Sequence, residues 1–180
     1  MVYMFLAEGF EEIEALCPLD LMRRAGIDVK TVSVGGGELV CGSHGIAVKA
    51  DIKDTELADS KPEMIILPGG LPGTTNLDAS EIVQRAIDDA LVNDAYICAI
   101  CAAPSVLGKR GLLCGKEAIC YPGFEKYLEG ARISDKKVVC DGKIITGAGM
   151  GVALDFGLAL VSALCGKEKA EELRRGVLAD

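Results

Sequence analysis

The chain contains no tryptophan, a single histidine, and only four phenylalanines and four tyrosines among its 180 residues. With so few rings, a core has to be filled by Ala, Val, Ile and Leu, and with half the residues apolar that mix suits an α/β sandwich. No run of Lys or Arg offsets a formal net charge of −8 and a sequence pI near 4.8. Such a surface repels phosphate backbones and anionic lipid, which argues against nucleic-acid and membrane partners. No apolar stretch is long enough for a membrane span, since Met150–Leu164 falls short and carries Asp155. The opening Met-Val-Tyr-Met-Phe-Leu-Ala-Glu lacks the basic flank and apolar length of a signal peptide, so a cytoplasmic protein is expected. No Ser/Pro-rich or charged linker divides the chain, which is read as one domain over residues 1–180.

Cysteine, by contrast, is plentiful, with eight residues scattered through predicted strands and helices. A chain of this size needs no staples, and in a reducing cytosol these are expected to be free thiols. Cys98 and Cys101 form a Cys-x-x-Cys, which admits a thioredoxin-like or a zinc reading. Zinc would require a second close Cys/His pair, and Cys114 and Cys120 are too far apart to supply it. In a redox pair the first cysteine normally opens the helix, whereas Cys98 falls within a predicted strand. No metal site is expected.

Hydrophobic patterning gives a β–α alternation. Val2–Leu6 reads as a strand, followed by a helix over 11–25 with an apolar stripe of Ile13, Leu16, Cys17 and Leu21, and with Pro18 expected to kink it or break one hydrogen bond. Glu11, Glu12 and Glu14 crowd its first turn, where pairing with the helix dipole would account for two of the three. Strands follow at 28–34 and 64–67. Between them lies a hairpin around Gly42-Ser-His-Gly45, whose His44 is expected to be a solvated turn residue. An amphipathic helix presents Ile82, Val83, Ala86, Ile87, Ala90 and Leu91 on one face. A brief strand is expected around 118–120, and Asp141-Gly142 marks a tight hairpin between 138–140 and 144–146. A buried helix to about Leu164 and a charged terminal helix complete the chain. The cluster Gly147-Ala-Gly149-Met-Gly151 follows a strand and opens a helix, but no further parallel strand with an acidic residue follows, so dinucleotide binding is not expected.

The stretch Asp94–Gly108 carries the chemistry. Ala95–Ile100 reads as a central strand that turns at Cys101 into a helix with Pro104 in its first turn. A thiol at such a corner faces unpaired N–H groups and the positive end of a helix, which predicts a pKa below the free value of about 8.5. The alternative is a small buried hydrophobe. Pro68-Gly-Gly70 ends another strand and frees backbone N–H groups for a ligand. Ligands of doubly wound sheets bind beyond the strands' carboxyl ends, so Gly70 and Cys101 share one candidate site.

The motifs Gly9-Phe-Glu-Glu-Ile-Glu14, Leu19-Asp-Leu-Met-Arg-Arg-Ala-Gly26, Ile66-Leu-Pro-Gly-Gly70, Ala99-Ile-Cys-Ala-Ala-Pro104, Asp141-Gly-Lys-Ile-Ile-Thr146 and Ala163-Leu-Cys-Gly-Lys-Glu168 occur in that order. Through them the chain resembles, from end to end, the ThiJ/PfpI superfamily in the branch of the Parkinson disease protein deglycase. The resemblance implies a flavodoxin-like, doubly wound sandwich with a mostly parallel sheet and helices on both faces, usually a homodimer. It implies Cys101 as nucleophile, Glu14 as a protonated carboxyl beside it, and Gly70 and Ala102 as backbone donors to an oxyanion or an oxidised sulfur. Gly69, Tyr121 and His44 are candidate pocket residues, His44 in a loop that borders the partner's site in similar dimers.

Three positions depart from the family pattern. Tyr121-Pro122 stands where many members carry His-Pro, which removes the usual candidate base. Ala102 replaces the histidine of the protease branch, which argues against a Cys–His peptidase. Gly149-Met-Gly151-Val152 replaces the common Gly-Pro-Gly-Thr. The expected function is a cofactor-independent thiol enzyme acting on a small dicarbonyl such as methylglyoxal or its adducts. The alternatives are an oxidative-stress sensor whose Cys101 becomes a sulfinic acid, and a binding or chaperone-like dimer.

Overall fold

Period-two alternation along each inner strand decides the architecture, because each strand supplies two apolar faces and both must be covered. In the computed structural model, which describes residues 1–57 and 61–179, seven strands form one sheet in the order β10-β11-β7-β6-β1-β2-β5. These are β1 (Val2–Leu6), β2 (Val29–Ser33), β5 (Ile52–Lys53), β6 (Met64–Leu67), β7 (Tyr96–Ile100), β10 (Val138–Asp141) and β11 (Ile144–Gly147). Only the hairpin of β10 with β11 is antiparallel; every other pairing in the sheet is parallel. Two small ribbons lie outside it: β3 (Leu39–Cys41) with β4 (Ala47–Lys49), and β8 (Glu117–Ala118) with β9 (Arg132–Ile133).

One face of the sheet presents Tyr3, Phe5, Ile65, Leu67, Ile97 and Ala99 to Leu77 of α2 (Gly73–Ala79), Val83 and Ile87 of α3 (Glu81–Val92), and Val106 of α4 (Pro104–Lys109). The opposite face presents Val2, Met4, Leu6, Ile66, Cys98 and Ile100 to α1 (Glu12–Arg24), α5 (Ala153–Cys165) and α6 (Lys167–Gly176). This is the flavodoxin-like sandwich. None of the helices described is long and apolar enough to cross a membrane.

Helix α1 corrects one sequence expectation. It continues through Pro18, which has no N–H and so leaves one helical hydrogen bond unmade, but its buried side is Ala15, Pro18, Leu19, Leu21 and Met22 with Glu12 and Glu14, while Ile13 is 47% exposed. Gly157 lets α5 approach at the proline, since a Cβ there would lie 2.9 Å from Pro18 Cα. Short edge elements β5 and β9, and helix α2 after Pro72, carry too few periodic residues to be read from sequence.

The chain runs β1 to β2 in one direction and β6, β7, β11 in the other, so the connections diverge beside β1 and β6. Such a divergence leaves a crevice above the carboxyl ends of these strands. The Pro68–Gly70 turn, the start of α1 and Cys101 all converge there.

Candidate active site

Cys101 follows β7 directly and is held at φ 64°, in the left-handed region that costs a non-glycine residue roughly 1–3 kcal/mol. Two hydrogen bonds impose the conformation: Cys101 N–H donates to Gly147 O at 2.9 Å, and Tyr121 N–H donates to Cys101 O at 2.7 Å. The half-buried thiol thus stands at a strained corner, with the Gly70 and Ala102 N–H groups acting on the sulfur.

Glu14, two residues into α1, is 1% exposed. Its Oε2 accepts from Gly69 N–H at 3.0 Å. No hydrogen bond of ordinary geometry reaches Oε1, and the side chain with which the carboxyl interacts is the Cys101 thiol. Gly69 separates the two groups, because a Cβ there would press on Glu14 Oε2 and sit 2.6 Å from Cys101 Cβ and 2.9 Å from Ile100 O. The Gly69→Ala variant is therefore expected to lose roughly 1–3 kcal/mol of stability through overpacking and to displace the carboxyl, which denaturant unfolding and Cys101 alkylation would register.

Burial raises the Glu14 carboxyl to about 7, helped by the nearby Glu11 charge and opposed by hydrogen bonds from the Cys101 thiol and Gly69 N–H. Burial first, then the Glu14 carboxylate, push the Cys101 thiol up to about 12 against the pull of the Ala102 and Gly70 N–H groups. This corrects the sequence expectation of a thiol acidified by its helix. The two groups form one acid–base unit. Between the two values the unit holds one proton and one negative charge, and moving that proton from sulfur to carboxyl converts a thiol–carboxylate into a thiolate–carboxylic acid. In the second form the negative charge sits on the sulfur, where the Gly70 and Ala102 N–H groups stabilise it.

The three glutamates take separate roles rather than simply pairing with the helix dipole. Glu12 is buried and accepts from His44 N–H at 2.8 Å and from Ile46 N–H at 3.4 Å on Oε1, while its Oε2 lies 2.9 Å from His44 Nδ1. Burial opposes its ionisation, but the His44 ring and the N–H groups of Glu12, His44 and Ile46 outweigh this and hold the carboxyl at about 2. Gly42 is required beneath it, since a Cβ would overlap the Glu12 side chain. Glu11 stands at the N-cap position of α1 without a side-chain cap, and its Oε2 accepts from Ser43 Oγ at 3.2 Å.

His44 is thus joined to Glu12, not to the thiol, although its side chain is 67% exposed. Glu11, Glu12 and His44 bring one potential ligand atom each within 4.8 Å of one another, and hydrogen bonding accounts for that closeness. A cation there would have to displace the proton between His44 and Glu12. Tyr121 meets the elbow through its backbone; its ring lies against Gly149, where a Cβ would be 3.2 Å from Cδ2, and the residue is half exposed. Cys98 lies fully buried, facing the α1 and α5 side of the sheet. The contact of Glu12 with Gly42-Ser-His44 was not legible in sequence, because nothing local links residues 30 apart in this way.

A model of the DJ-1/PfpI family matches residues 1–163. The chain belongs to the DJ-1/PfpI family. Protein dj-1beta of Drosophila melanogaster is 38% identical over 175 residues, covering 96% of this chain and 94% of that protein. Its crystal structure superposes with a TM-score of 0.95 at 36% identity, covering 99% of this chain and 97% of the other. The glutathione-independent glyoxalase DJR-1.2 of Caenorhabditis elegans is 29% identical over 167 residues, 92% of this chain and 89% of that enzyme. An oxidised DJ-1 of Toxoplasma gondii matches with a TM-score of 0.94 at 34% identity over 98% of this chain and 97% of the other.

Proposed function

We propose that this DJ-1/PfpI protein is a cysteine-dependent, cofactor-independent enzyme that converts reactive dicarbonyls, methylglyoxal or its early adducts, to the hydroxy acid. The observation that carries this reading is the one-proton unit of Cys101 and Glu14 beneath the Gly70 and Ala102 N–H groups. Glu14 takes the thiol proton as sulfur adds to the aldehyde carbon and returns it to the carbonyl oxygen, steadied by the N–H groups, to give a hemithioacetal. Glu14 then removes the proton on the former aldehyde carbon and returns one to the adjacent ketone carbon while the hydroxyl proton of the first carbon passes to the ketone oxygen, so the first carbon is oxidised to a thioester as the second is reduced to an alcohol. Water hydrolyses the resulting thioester, releasing lactate and restoring the thiol. A carboxyl near 7 suits both directions of transfer at neutral pH. The glyoxalase name of the C. elegans relative supports the same chemistry. Lactate formation from methylglyoxal without glutathione and with a chelator present tests it; no lactate above the uncatalysed background rejects it.

A second reading is favoured by the same donors. Two equivalents of peroxide would carry Cys101 through sulfenic to sulfinic acid, with release of two waters, and protonated Glu14 together with the Gly70 and Ala102 N–H groups would hold the new oxygens. The active species is taken to be a cytoplasmic homodimer. Ile13 and Ile46, 47% and 55% exposed on segments joined through Glu12, support an apolar contact surface there, which light scattering would measure.

A further inference from the structure

Glu11 and His44 touch neither the thiol nor the Glu14 carboxyl, yet the backbone ties them to both. Glu11 and Glu14 are three residues apart in the first turn of α1, which sets them on one side of the helix. Glu11 N–H donates to Gly69 O at 2.9 Å, and Gly69 N–H donates to Glu14 Oε2 at 3.0 Å, so one glycine is bound to both residues. The Glu11 carboxylate, 14% exposed, lies 3.6 Å from His44 Nδ1. The β3–β4 turn that carries His44 is fastened to α1 by three hydrogen bonds to Glu12, from His44 N–H, the His44 ring and Ile46 N–H.

We infer that Glu11 and His44 are positioning residues for the Cys101–Glu14 unit, whose opposed charges, held in place by Glu12, govern how readily the unit gives up its first proton. The inference rests on the reading of Cys101 and Glu14 as one acid–base unit, and not on the identity of the substrate. The groups facing Glu14 are the Cys101 thiol, the Glu11 carboxylate and Gly69 N–H. Those facing His44 are Glu11 and Glu12 from α1 and Ser43 from its own turn. Glu8, at the same end of the sheet, is committed to Cys41 N–H at 3.1 Å. Among the described residues, His44 is the only basic side chain in an ion pair with Glu11 or Glu12, and Glu14 has none.

The signs follow directly. Glu11 repels a second negative charge and holds the proton on the unit. The hydrogen bond to Glu12, then the charges of Glu11 and Glu12, raise the basicity of His44, so the imidazole keeps its proton to higher pH than a free one and, when charged, offsets Glu11 and Glu12. Removing Glu11's charge should release the proton more easily; removing His44's charge should retain it more tightly.

The test is the pH dependence of iodoacetamide alkylation at Cys101, resolved from the other seven cysteines by peptide mass spectrometry. Glu11→Gln is expected to move the inflection to lower pH and raise the rate at pH 6 about threefold, and His44→Gln to move it higher and lower that rate about twofold. His44→Lys, which keeps the charge, should keep the wild-type inflection. Shifts in the same direction, no shift in either variant, or a His44→Lys curve that follows His44→Gln would overturn the inference. If Glu11→Gln does not fold, the His44 pair alone decides. Alkylation requires no turnover, so failure of this inference and failure of the dicarbonyl reading are separately visible.

Discussion

Cys101→Ser is expected to abolish conversion of methylglyoxal to lactate, a loss on the order of 10⁴-fold or more in kcat/KM. Serine fits the elbow sterically, and the hydrogen bonds that fix its backbone, Cys101 N–H to Gly147 O and Tyr121 N–H to Cys101 O, involve no side-chain atom. The fold should therefore persist. What is lost is a nucleophile whose proton the Glu14 carboxyl can accept, because an alcohol holds its proton far more tightly than a thiol and the thioester stage disappears. Lactate assayed beside a circular-dichroism melt separates the two effects. A serine variant within tenfold of wild type would remove Cys101 from the reaction.

Glu14→Gln is expected to lower kcat/KM by about 10²- to 10⁴-fold, the range for loss of a general acid–base group. Glutamine is nearly isosteric, so its amide oxygen retains the acceptor for Gly69 N–H that Glu14 Oε2 supplies at 3.0 Å. It cannot carry a proton between adjacent carbons. The thiol remains open to alkylation, which distinguishes lost proton transfer from a collapsed site. Full turnover in this variant would mean that another group moves the proton, and Tyr121, in place of the family's histidine, would be the first to examine.

The central strands and the position of Cys101 were legible because β1, β6 and β7 are short apolar runs bounded by turn residues, and nothing else competes for the middle of the sheet. The buried side of α1 was not legible. An apolar stripe counted on Ile13 and Leu16 assumes that carboxylates face water, whereas two glutamates of this helix turn inward, one to a thiol and one to a loop. The acidity of Cys101 was misread for a related reason. Helix ends and N–H donors can be inferred from a strand–turn–helix pattern, but the opposing burial and the Glu14 charge arise from a residue 87 positions away in the chain. Glu14 as the partner came only through the family resemblance; among three glutamates, spacing does not select one.

The account depends on Cys101 and Glu14 titrating as one unit, and the pH dependence of Cys101 alkylation in the wild type and in Glu14→Gln tests this most directly. Since the first proton leaves the unit near pH 7, the wild-type rate should rise through an inflection there, and that inflection should disappear when Glu14 can no longer ionise. A wild-type inflection near the free-thiol value of about 8.5, unmoved by Glu14→Gln, would show an independent cysteine and contradict the account.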